Sequence, residues 1–187
     1  TCANSTQIRV ADMNNDSHDD VVTFASFSSV MCVHFYNSTI QGYEAHFIVN
    51  ISSNPLDVQV ADMNQDGCAD FVSIHGYMGE GKVAMTTYDA VSNSTGSLND
   101  VPVYRYNFWD GRARMRTLHV DDFFNRGENS IIVSDAWDDA RVLTYDNQSR
   151  QLITNLVKFR NLSEESVAGD IDGDGDIDFL TPRDAGS

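Results

Sequence analysis

Three short segments of the sequence carry oxygen-bearing side chains at one shared spacing. Each follows the pattern D-x-[DN]-x-[DN]-[GS]-x-x-D, which puts Asp or Asn at positions 1, 3, 5 and 9. The residues are Asp12, Asn14, Asp16 and Asp20 in loop 1, Asp62, Asn64, Asp66 and Asp70 in loop 2, and Asp170, Asp172, Asp174 and Asp178 in loop 4. Carboxylates crowded in this way repel one another unless a cation lies among them. The spacing therefore predicts metal sites.

The ligand chemistry favours calcium. Ca²⁺ accepts about six to eight hard oxygen ligands in flexible geometry, whereas softer metals prefer His or Cys. Position 7 would add its backbone carbonyl, so the side chains of His18, Cys68 and Asp176 need not be ligands. Clusters of Asp, Asn and Gly also occur in ordinary turns, but three copies in register favour a metal. We therefore expect three calcium sites.

An EF-hand shares the first positions of this pattern but requires a Glu at position 12 and flanking helices. Position 12 holds Thr23, Ser73 and Thr181, and the flanking residues have the pattern of strands. The Asp at position 9 supplies the further carboxylate instead. The pattern predicts a calcium-binding β-loop.

A fourth copy, loop 3, departs from the pattern. Its positions 1, 3, 5 and 9 are Asp122, Phe124, Arg126 and Ser130, which leaves one carboxylate. We predict that loop 3 holds no metal, and that Arg126 pairs with Asp122 or Asp121 in place of the cation.

The loops recur at a regular interval. Their first residues are Asp12, Asp62, Asp122 and Asp170, and intervals of about 50 residues are typical of propeller blades. A strand-like alternation precedes each loop and a short apolar run follows it. Two more candidate strands fill each period, at 30–36 and 43–49, at 82–88 and 101–108, and at 141–145 and 152–159. The longer second period predicts an extended loop at 91–100.

Four strands per period predict an all-β fold of β-propeller blades, each with four antiparallel strands. The repeats give three full blades and the start of a fourth. A propeller closes with about four to eight blades. We therefore expect residues 1–187 to be a single propeller region of a longer chain, or to be completed by a partner.

Composition limits the class of protein. The 187 residues include 28 Asp and Glu but only 12 Lys and Arg, giving a formal charge of −16. This balance argues against nucleic-acid binding and against an anionic membrane surface, because phosphate recognition needs a basic face. No apolar run is long enough to insert into a membrane. With 41% hydrophobic residues, the chain is expected to form a packed core.

Two further patterns point to the secretory pathway. N-x-[ST] sequons are frequent, and we predict glycosylation at Asn4, Asn37, Asn50, Asn93, Asn147 and Asn161. A seventh sequon, Asn15, lies inside loop 1 and is not expected to be used. Three cysteines, Cys2, Cys32 and Cys68, fit one disulfide and one remaining thiol, and their spacing is not that of a zinc site. We expect a secreted or cell-surface protein.

At the loops the chain resembles the FG-GAP/VCBS repeat family, the calcium-loop blades of integrin α-subunit propellers and related extracellular proteins. The resemblance is carried by VADMNQDGCADFV at 60–72 and VAGDIDGDGDIDFL at 167–180, with 10–22 as a weaker copy. The Phe-Gly and Gly-Ala-Pro ends of integrin repeats are absent from the sequence. The resemblance implies a propeller, often seven-bladed, with cations in the loop between the first two strands of a blade and partners on the opposite face.

Three functions follow from these features. The leading one is a non-catalytic extracellular binding or adhesion module that recognises protein or carbohydrate, with Tyr77, Trp109 and Trp137 as candidate contacts. The second is an accessory part of a secreted lyase or hydrolase acting on carbohydrate or lipid, although the five histidines lie in no catalytic motif. The third is a structural scaffold of a surface coat or filament, formed with neighbouring copies or with the rest of its own propeller.

Overall fold

The computed structural model describes residues 5–25, 28–50, 55–77, 80–89, 94–105, 115–135, 139–160 and 166–180. All regular structure in these ranges is β-strand, as the sequence pattern predicts. The same ranges contain no helix with the length and apolar character needed to cross a membrane.

Three antiparallel sheets of four strands follow one another along the chain. Blade 1 has the order β1-β2-β3-β6, from Gln7–Ala11, Asp20–Phe24, Val30–His34 and Phe47–Asn50. Blade 2 contains β7 to β10, from Asp57–Ala61, Asp70–Tyr77, Glu80–Asp89 and Ser94–Arg105. Blade 3 contains β11 to β14, from Met115–Asp121, Ser130–Asp135, Asp139–Asp146 and Gln151–Arg160. The prediction of four-stranded antiparallel blades is confirmed.

Two smaller hairpins complete the described structure. Strands β15 (Val167–Gly169) and β16 (Asp178–Leu180) pair with each other in a two-stranded sheet that follows blade 3 along the chain. Strands β4 (Tyr36–Asn37) and β5 (Gly42–Tyr43) form a short hairpin between the third and fourth strands of blade 1. This hairpin, which lies beside loop 1, was not expected from the sequence.

The extended loop predicted at 91–100 is partly wrong. Residues Ser94–Arg105 form β10, which pairs with β9 along almost its whole length. The register shifts twice, between Thr95 and Leu98 and between Pro102 and Tyr104. At each irregularity β10 contains an additional residue opposite β9. Part of the longer second period therefore belongs to a paired strand.

The apolar core lies between blades. Each loop begins directly after the first strand of its blade, and its position 2 carries a buried apolar residue: Met13, Met63 or Phe123 in blades 1 to 3. Met13 packs in one cluster with Val58 and Phe71 of blade 2, and Met63 packs with Leu118 and Ile131 of blade 3. The loops therefore connect each blade to the next as well as joining two strands.

Candidate metal centres

All four loops fold around the carboxylate at position 1. In loop 2, Asp62 accepts hydrogen bonds from the backbone N–H groups of Asp66 at 3.2 Å and Gly67 at 2.9 Å. Asp12 accepts the same pair of hydrogen bonds in loop 1, as does Asp122 in loop 3. In loop 4, Asp170 accepts from Gly173 and Gly175. The position-1 side chain thus closes the turn in every copy.

The turn requires left-handed backbone at positions 4 and 6. At position 6, φ is +67° for Ser17, +90° for Gly67, +73° for Gly127 and +93° for Gly175. Position 4 is also left-handed in each loop, including at Asn15 and Gln65. Glycine, and to a lesser extent asparagine, adopts this conformation at low cost. This explains the Gly preference at position 6, which Ser17 of loop 1 lacks.

The side chains at positions 3 and 5 face into the same turn. Asn64 accepts a hydrogen bond from the backbone N–H of Asp66 at 2.9 Å, and Asp66 accepts one from Cys68 at 2.9 Å. Asn14 and Asp16 form the equivalent bonds in loop 1, the second one from His18. These successive Asx-type turns hold the oxygens of positions 1, 3 and 5 on the inner side of the loop.

Loop 4 brings three carboxylates together. One oxygen from each of Asp170, Asp172 and Asp174 lies within 4.8 Å of the other two, and all three side chains are exposed. In loops 1 and 2, position 3 is Asn14 or Asn64, which offers an amide oxygen in place of a carboxylate. Clustered oxygens of this type match the ligand chemistry of Ca²⁺. Asp176 lies in the same turn and donates its backbone N–H to Asp174 at 2.9 Å.

Position 9 is placed differently from the other three. Asp20 and Asp70 are fully buried, at the first residue of the second strand. In loop 2, the two oxygens of Asp70 accept hydrogen bonds from the backbone N–H groups of Met63 at 3.1 Å and Tyr88 at 3.0 Å. Asp178 of loop 4 accepts from Ile171 at 3.2 Å. Position 9 therefore joins the loop to the sheet, and its role as a metal ligand stays a prediction.

Burial changes the acidity of these carboxyl groups. Burial, with smaller contributions from the charges of Asp66 and Asp62, raises the pKa of Asp70 to about 7, although two backbone hydrogen bonds act to lower it. Burial also raises the pKa of Asp20, with smaller contributions from Asp16 and Asp12. A buried carboxylate surrounded by other carboxylates is costly to ionise. A cation in the loop would relieve that cost.

The sequence analysis missed the role of a tyrosine that lies within two residues of the end of the third strand in each blade. Tyr36 donates its backbone N–H to Asp20 at 2.8 Å, as Tyr88 does to Asp70. Tyr145 occupies the equivalent place in blade 3, because Thr144 pairs with Ser130, the position-9 residue of loop 3. The sequence did contain a signal for this contact, because a tyrosine ends the third candidate strand in each period.

Loop 3 adopts the same turn as the other loops although it lacks three of the four candidate metal ligands. Asp122 accepts hydrogen bonds from Arg126 and Gly127, and these hydrogen bonds hold the pKa of Asp122 below its usual value. The expected pairing of Arg126 with Asp121 or Asp122 is wrong: among the described residues, no ion pair joins them. The guanidinium lies instead over the Phe124 ring, 5.1 Å from its centre. The Phe124 ring at position 3 is therefore the partner of the Arg126 guanidinium.

The β4–β5 hairpin forms one wall of a cleft beside loop 1. The cleft has a volume of about 470 Å³ and is lined by Asn14, Asp16, Phe35, Tyr36, Asn37, Ser38, Glu44 and Tyr88. Asn37 donates its side-chain amide to Glu44 at 2.6 Å, and the Tyr36 ring stacks on His18 with 5.3 Å between centroids. The cleft therefore combines carboxylates, amides and aromatic rings, and it includes positions 3 and 5 of loop 1.

The remaining predicted residues divide into described and undescribed positions. Asn50 and Asn147 are exposed and Asn37 is half-buried, whereas Asn4, Asn93 and Asn161 lie outside the described residues. Cys32 is disulfide-bonded and Cys68 is a thiol; Cys2, the candidate partner, also lies outside the described residues. The same holds for Trp109, Trp137 and the side chain of Tyr77.

Comparison with known families agrees with this geometry. The model of the FG-GAP-like repeat matches residues 12–73, from the first ligand position of loop 1 into β8 of blade 2. No curated protein matches the chain. The match confirms the resemblance predicted from the loops. Together with the four-stranded sheets, it defines the class of the protein as a module of β-propeller type. More particularly, the module carries an FG-GAP-like repeat at residues 12–73, which begins after β1 of blade 1 and ends within β8 of blade 2.

Proposed function

We propose that the protein is an extracellular, calcium-stabilised propeller module that binds a protein or carbohydrate partner and is not itself catalytic. The proposed calcium binding is supported by the cluster of Asp170, Asp172 and Asp174, in which one oxygen of each side chain lies within 4.8 Å of the other two. Loops 1 and 2 repeat the same turn with one amide oxygen in the set. Clustered oxygen ligands of this kind suit Ca²⁺, and the carboxylates repel one another when no cation lies among them.

Calcium would stabilise more than one strand pair. Each loop contacts the next: the carbonyl of Asp12 accepts a hydrogen bond from the backbone N–H of Ala69 at 3.2 Å. The carbonyl of Asp62 accepts one from the side chain of Asn129 at 2.8 Å, and Gln65 donates to the carbonyl of Gly127 at 2.9 Å. A cation that fixes one loop therefore also fixes the junction with the next blade.

The cleft beside loop 1 supports a recognition role. Paired carboxylate and amide groups, here Asp16 with Asn14 and Glu44 with Asn37, hydrogen-bond the hydroxyl groups of a sugar or the polar groups of a peptide. The Tyr36 ring adds an aromatic surface. The cleft brings these groups together in one concave surface, and binding sites are commonly concave.

An extracellular location is supported by covalent chemistry. Cys32 is disulfide-bonded, and disulfides persist mainly in oxidising compartments. Asn50 and Asn147 are exposed sequon residues at a strand end and in a turn, where a glycan can be attached without displacing core residues. Mass spectrometry of the protein secreted from eukaryotic cells would test both assignments.

Calcium titration by calorimetry tests the central proposal. We expect the unsubstituted protein to bind calcium at three sites, and Asp62→Asn to remove one of them. Asp122→Asn is the matched control, because it changes the same position in the loop predicted to be metal-free. Bound calcium should raise the melting temperature by linkage, and chelation should reverse that rise. Absence of calcium binding at millimolar concentration would refute the proposal.

Binding to the cleft is tested separately. Arrays of glycans and of extracellular-matrix proteins would be probed with the purified module, with and without chelator. No binding on either array would contradict the recognition role and leave calcium stabilisation standing.

A scaffold role is the second candidate, and one specific observation favours it. Large aliphatic side chains are exposed on β1, at Ile8 and Val10, and on the β15–β16 hairpin, at Val167 and Leu180. Accessory function in a secreted enzyme is the remaining alternative, and lyase or hydrolase activity of the purified chain would support it.

A further inference from the structure

Asn37 is both a predicted glycosylation site and a wall residue of the cleft beside loop 1. It opens the sequon formed with Ser38 and Thr39, and it is the last residue of β4. Its side-chain nitrogen, the atom to which a glycan is attached, donates a hydrogen bond to Glu44 at 2.6 Å. Because Ser38 and Glu44 also line the cleft, the attachment atom lies at the cleft wall.

Two other described residues that are predicted to be glycosylated are placed differently. Asn50 is exposed at the end of β6, and Asn147 is exposed in the turn that follows β13. Neither residue lines the cleft, and Asn37 is half-buried where these two are exposed. A glycan on Asn50 or Asn147 therefore extends into solvent, but a glycan on Asn37 begins inside a concave surface.

The β4–β5 hairpin holds Asn37 in this position. The two strands pair with each other, and the backbone N–H of Glu44 donates to the carbonyl of Phe35 at 2.8 Å. The backbone N–H of Tyr36 is bound by the buried carboxylate of Asp20. The attachment atom is therefore fixed relative to the cleft before a sugar is present, which lowers the entropic cost of placing the sugar there.

The groups on the cleft wall match those of a sugar. The carboxylate of Glu44 accepts hydrogen bonds from hydroxyl or acetamido groups, and the side-chain amide of Asn14 donates them. The rings of Phe35 and Tyr36 offer apolar surface to the C–H groups of a pyranose. The cleft volume of about 470 Å³ is usual for a small-molecule site. N-acetylglucosamine, the first sugar of an N-linked glycan, carries all the matching groups.

Attachment of the glycan preserves the hydrogen bonds of Asn37. The side-chain nitrogen forms a bond to the anomeric carbon of N-acetylglucosamine, while the bond from that carbon to the diphosphate of a lipid-linked oligosaccharide breaks. The nitrogen loses one proton and keeps one N–H group. That N–H group is available to Glu44, and the side-chain oxygen still accepts from the backbone N–H of Thr39 at 2.9 Å.

A tethered sugar competes strongly with a free partner for the same surface. A short covalent link gives the sugar an effective concentration of about millimolar at the cleft. A free partner of similar affinity at micromolar concentration is therefore excluded from most molecules.

We propose that the glycan on Asn37 occupies the cleft beside loop 1 and closes it to other partners. The inference rests on the proposed function, both for the extracellular location and for the use of the cleft as a binding surface. A chain with unmodified Asn37 presents an open cleft. The occupancy of one sequon therefore sets the fraction of molecules that bind a partner there.

Nuclear magnetic resonance tests the contact directly. The protein would be secreted from eukaryotic cells with isotope-labelled N-acetyl groups, and mass spectrometry would establish which sequons are modified. We expect nuclear Overhauser effects between an N-acetyl methyl group and the ring protons of Phe35 or Tyr36, which both line the cleft. Absence of these effects in protein that carries the Asn37 glycan would overturn the proposal.

Two variants identify the glycan responsible. Thr39→Ala removes the Asn37 sequon without changing any side chain that lines the cleft, so it should abolish the effects. Ser149→Ala is the matched control, because it removes the Asn147 sequon in the same way and should leave the effects unchanged. Effects that persist in Thr39→Ala would assign the contact to another glycan and overturn the proposal.

Enzymatic removal of the glycans measures how firmly the cleft holds the sugar. Peptide N-glycosidase acts on Asn37 only in molecules whose glycan has left the cleft. We expect cleavage in the folded protein to be at least about tenfold slower at Asn37 than at Asn147, with the rates in denatured protein as the reference. Equal relative rates in the folded protein would overturn the proposal.

The same samples separate this inference from the proposed function. Glycans on Asn50 and Asn147 with an unmodified Asn37 overturn this inference and support the extracellular location. Unmodified asparagine at all three residues contradicts both. A partner found on the arrays that binds the glycosylated chain as tightly as Thr39→Ala, and loses affinity in Glu44→Gln, would support recognition at the cleft and overturn its occupation by the glycan.

Discussion

The carboxylate of Asp70 accepts a hydrogen bond from the backbone N–H of Tyr88 at 3.0 Å, which ties the end of loop 2 to the end of the third strand of its blade. The other oxygen of Asp70 accepts from Met63 at the start of the same loop. One buried side chain therefore holds three segments together. Asp20 does the same in blade 1, with Met13 and Tyr36.

Replacing Asp70 with alanine should destabilise the metal-free protein. The change leaves the buried N–H groups of Met63 and Tyr88 without acceptors, at about 1–3 kcal/mol for each group. We expect a loss of about 2–5 kcal/mol in the free energy of unfolding, measured by urea denaturation in chelator. Asp146→Ala, at the last residue of β13, where the side chain makes only solvent-exposed hydrogen bonds to the following turn, is the control and should cost less than about 1 kcal/mol. Equal losses for the two variants would contradict the role of Asp70.

The stability of the metal-free protein should fall as pH rises through the range from about 4 to 7. Asp70 has a pKa of about 7 in the folded state, whereas the ordinary value of an aspartate is 3.8, so the unfolded chain loses the proton first. Over this range the folded state holds more protons than the unfolded state, and raising the pH favours unfolding. The effect of a shift of this size is at most about 4 kcal/mol.

Urea denaturation in chelator across this pH range measures the effect. Asp70→Asn removes the titrating group and should flatten the profile, leaving the smaller contribution of Asp20 in the same direction. With saturating calcium, the unsubstituted protein should lose this dependence. Identical pH profiles for the unsubstituted protein and Asp70→Asn would show that the carboxyl group of Asp70 is not responsible.

Gly67→Ala should be more destabilising than Gly173→Ala. Both glycines have left-handed backbone, with φ of +90° and +80°, so both substitutions carry a backbone cost of about 1 kcal/mol. Only at Gly67 would the new Cβ also meet a neighbour, the side-chain amide of Asn15. Thermal denaturation in calcium should show a larger fall for Gly67→Ala, and adding Asn15→Ala should recover the difference. No recovery would indicate that the contact between the two loops is unimportant.

Binding in the cleft beside loop 1 should depend on Tyr36 and Glu44. Glu44→Gln keeps the shape of the cleft but removes a charge, and Tyr36→Ala removes the aromatic wall while its backbone N–H can still bond to Asp20. For a ligand found on the arrays, we expect each variant to weaken binding by about tenfold, as measured by surface plasmon resonance. Tyr43→Ala, in the same hairpin but outside the cleft lining, is the control. Equal binding by all three variants would place the ligand elsewhere.

The sequence was most informative where one pattern recurred. The spacing of Asp12, Asp62, Asp122 and Asp170 was sufficient to predict the blades and the loop positions, because a repeated turn requires the same residues each time. The path of β10 was not predictable, since polar residues such as Ser94 and Asn99 join a strand only because β9 offers them backbone partners. Contacts set by tertiary position were also missed.

Two missed contacts show why. Arg126 lies over Phe124 rather than beside Asp122, a choice between two nearby partners that depends on the direction of each side chain in the turn. The bond from Tyr36 to Asp20 depends on the register of the second and third strands, which a periodic pattern does not specify. Repetition predicted which residues share a loop, but not what each of them touches outside it.

Loop 3 shows that the turn of these loops forms without the full set of candidate metal ligands. Asp122 alone closes the same turn as Asp62, although Phe124, Arg126 and Ser130 replace three of the four candidate ligands. A blade can therefore gain or lose a candidate ion site by exchange at three positions while the chain path stays unchanged. The number of such sites can then change in evolution without a change of fold, and Phe124→Asn, Arg126→Asp and Ser130→Asp together would give loop 3 the full set of candidate ligands on its present backbone.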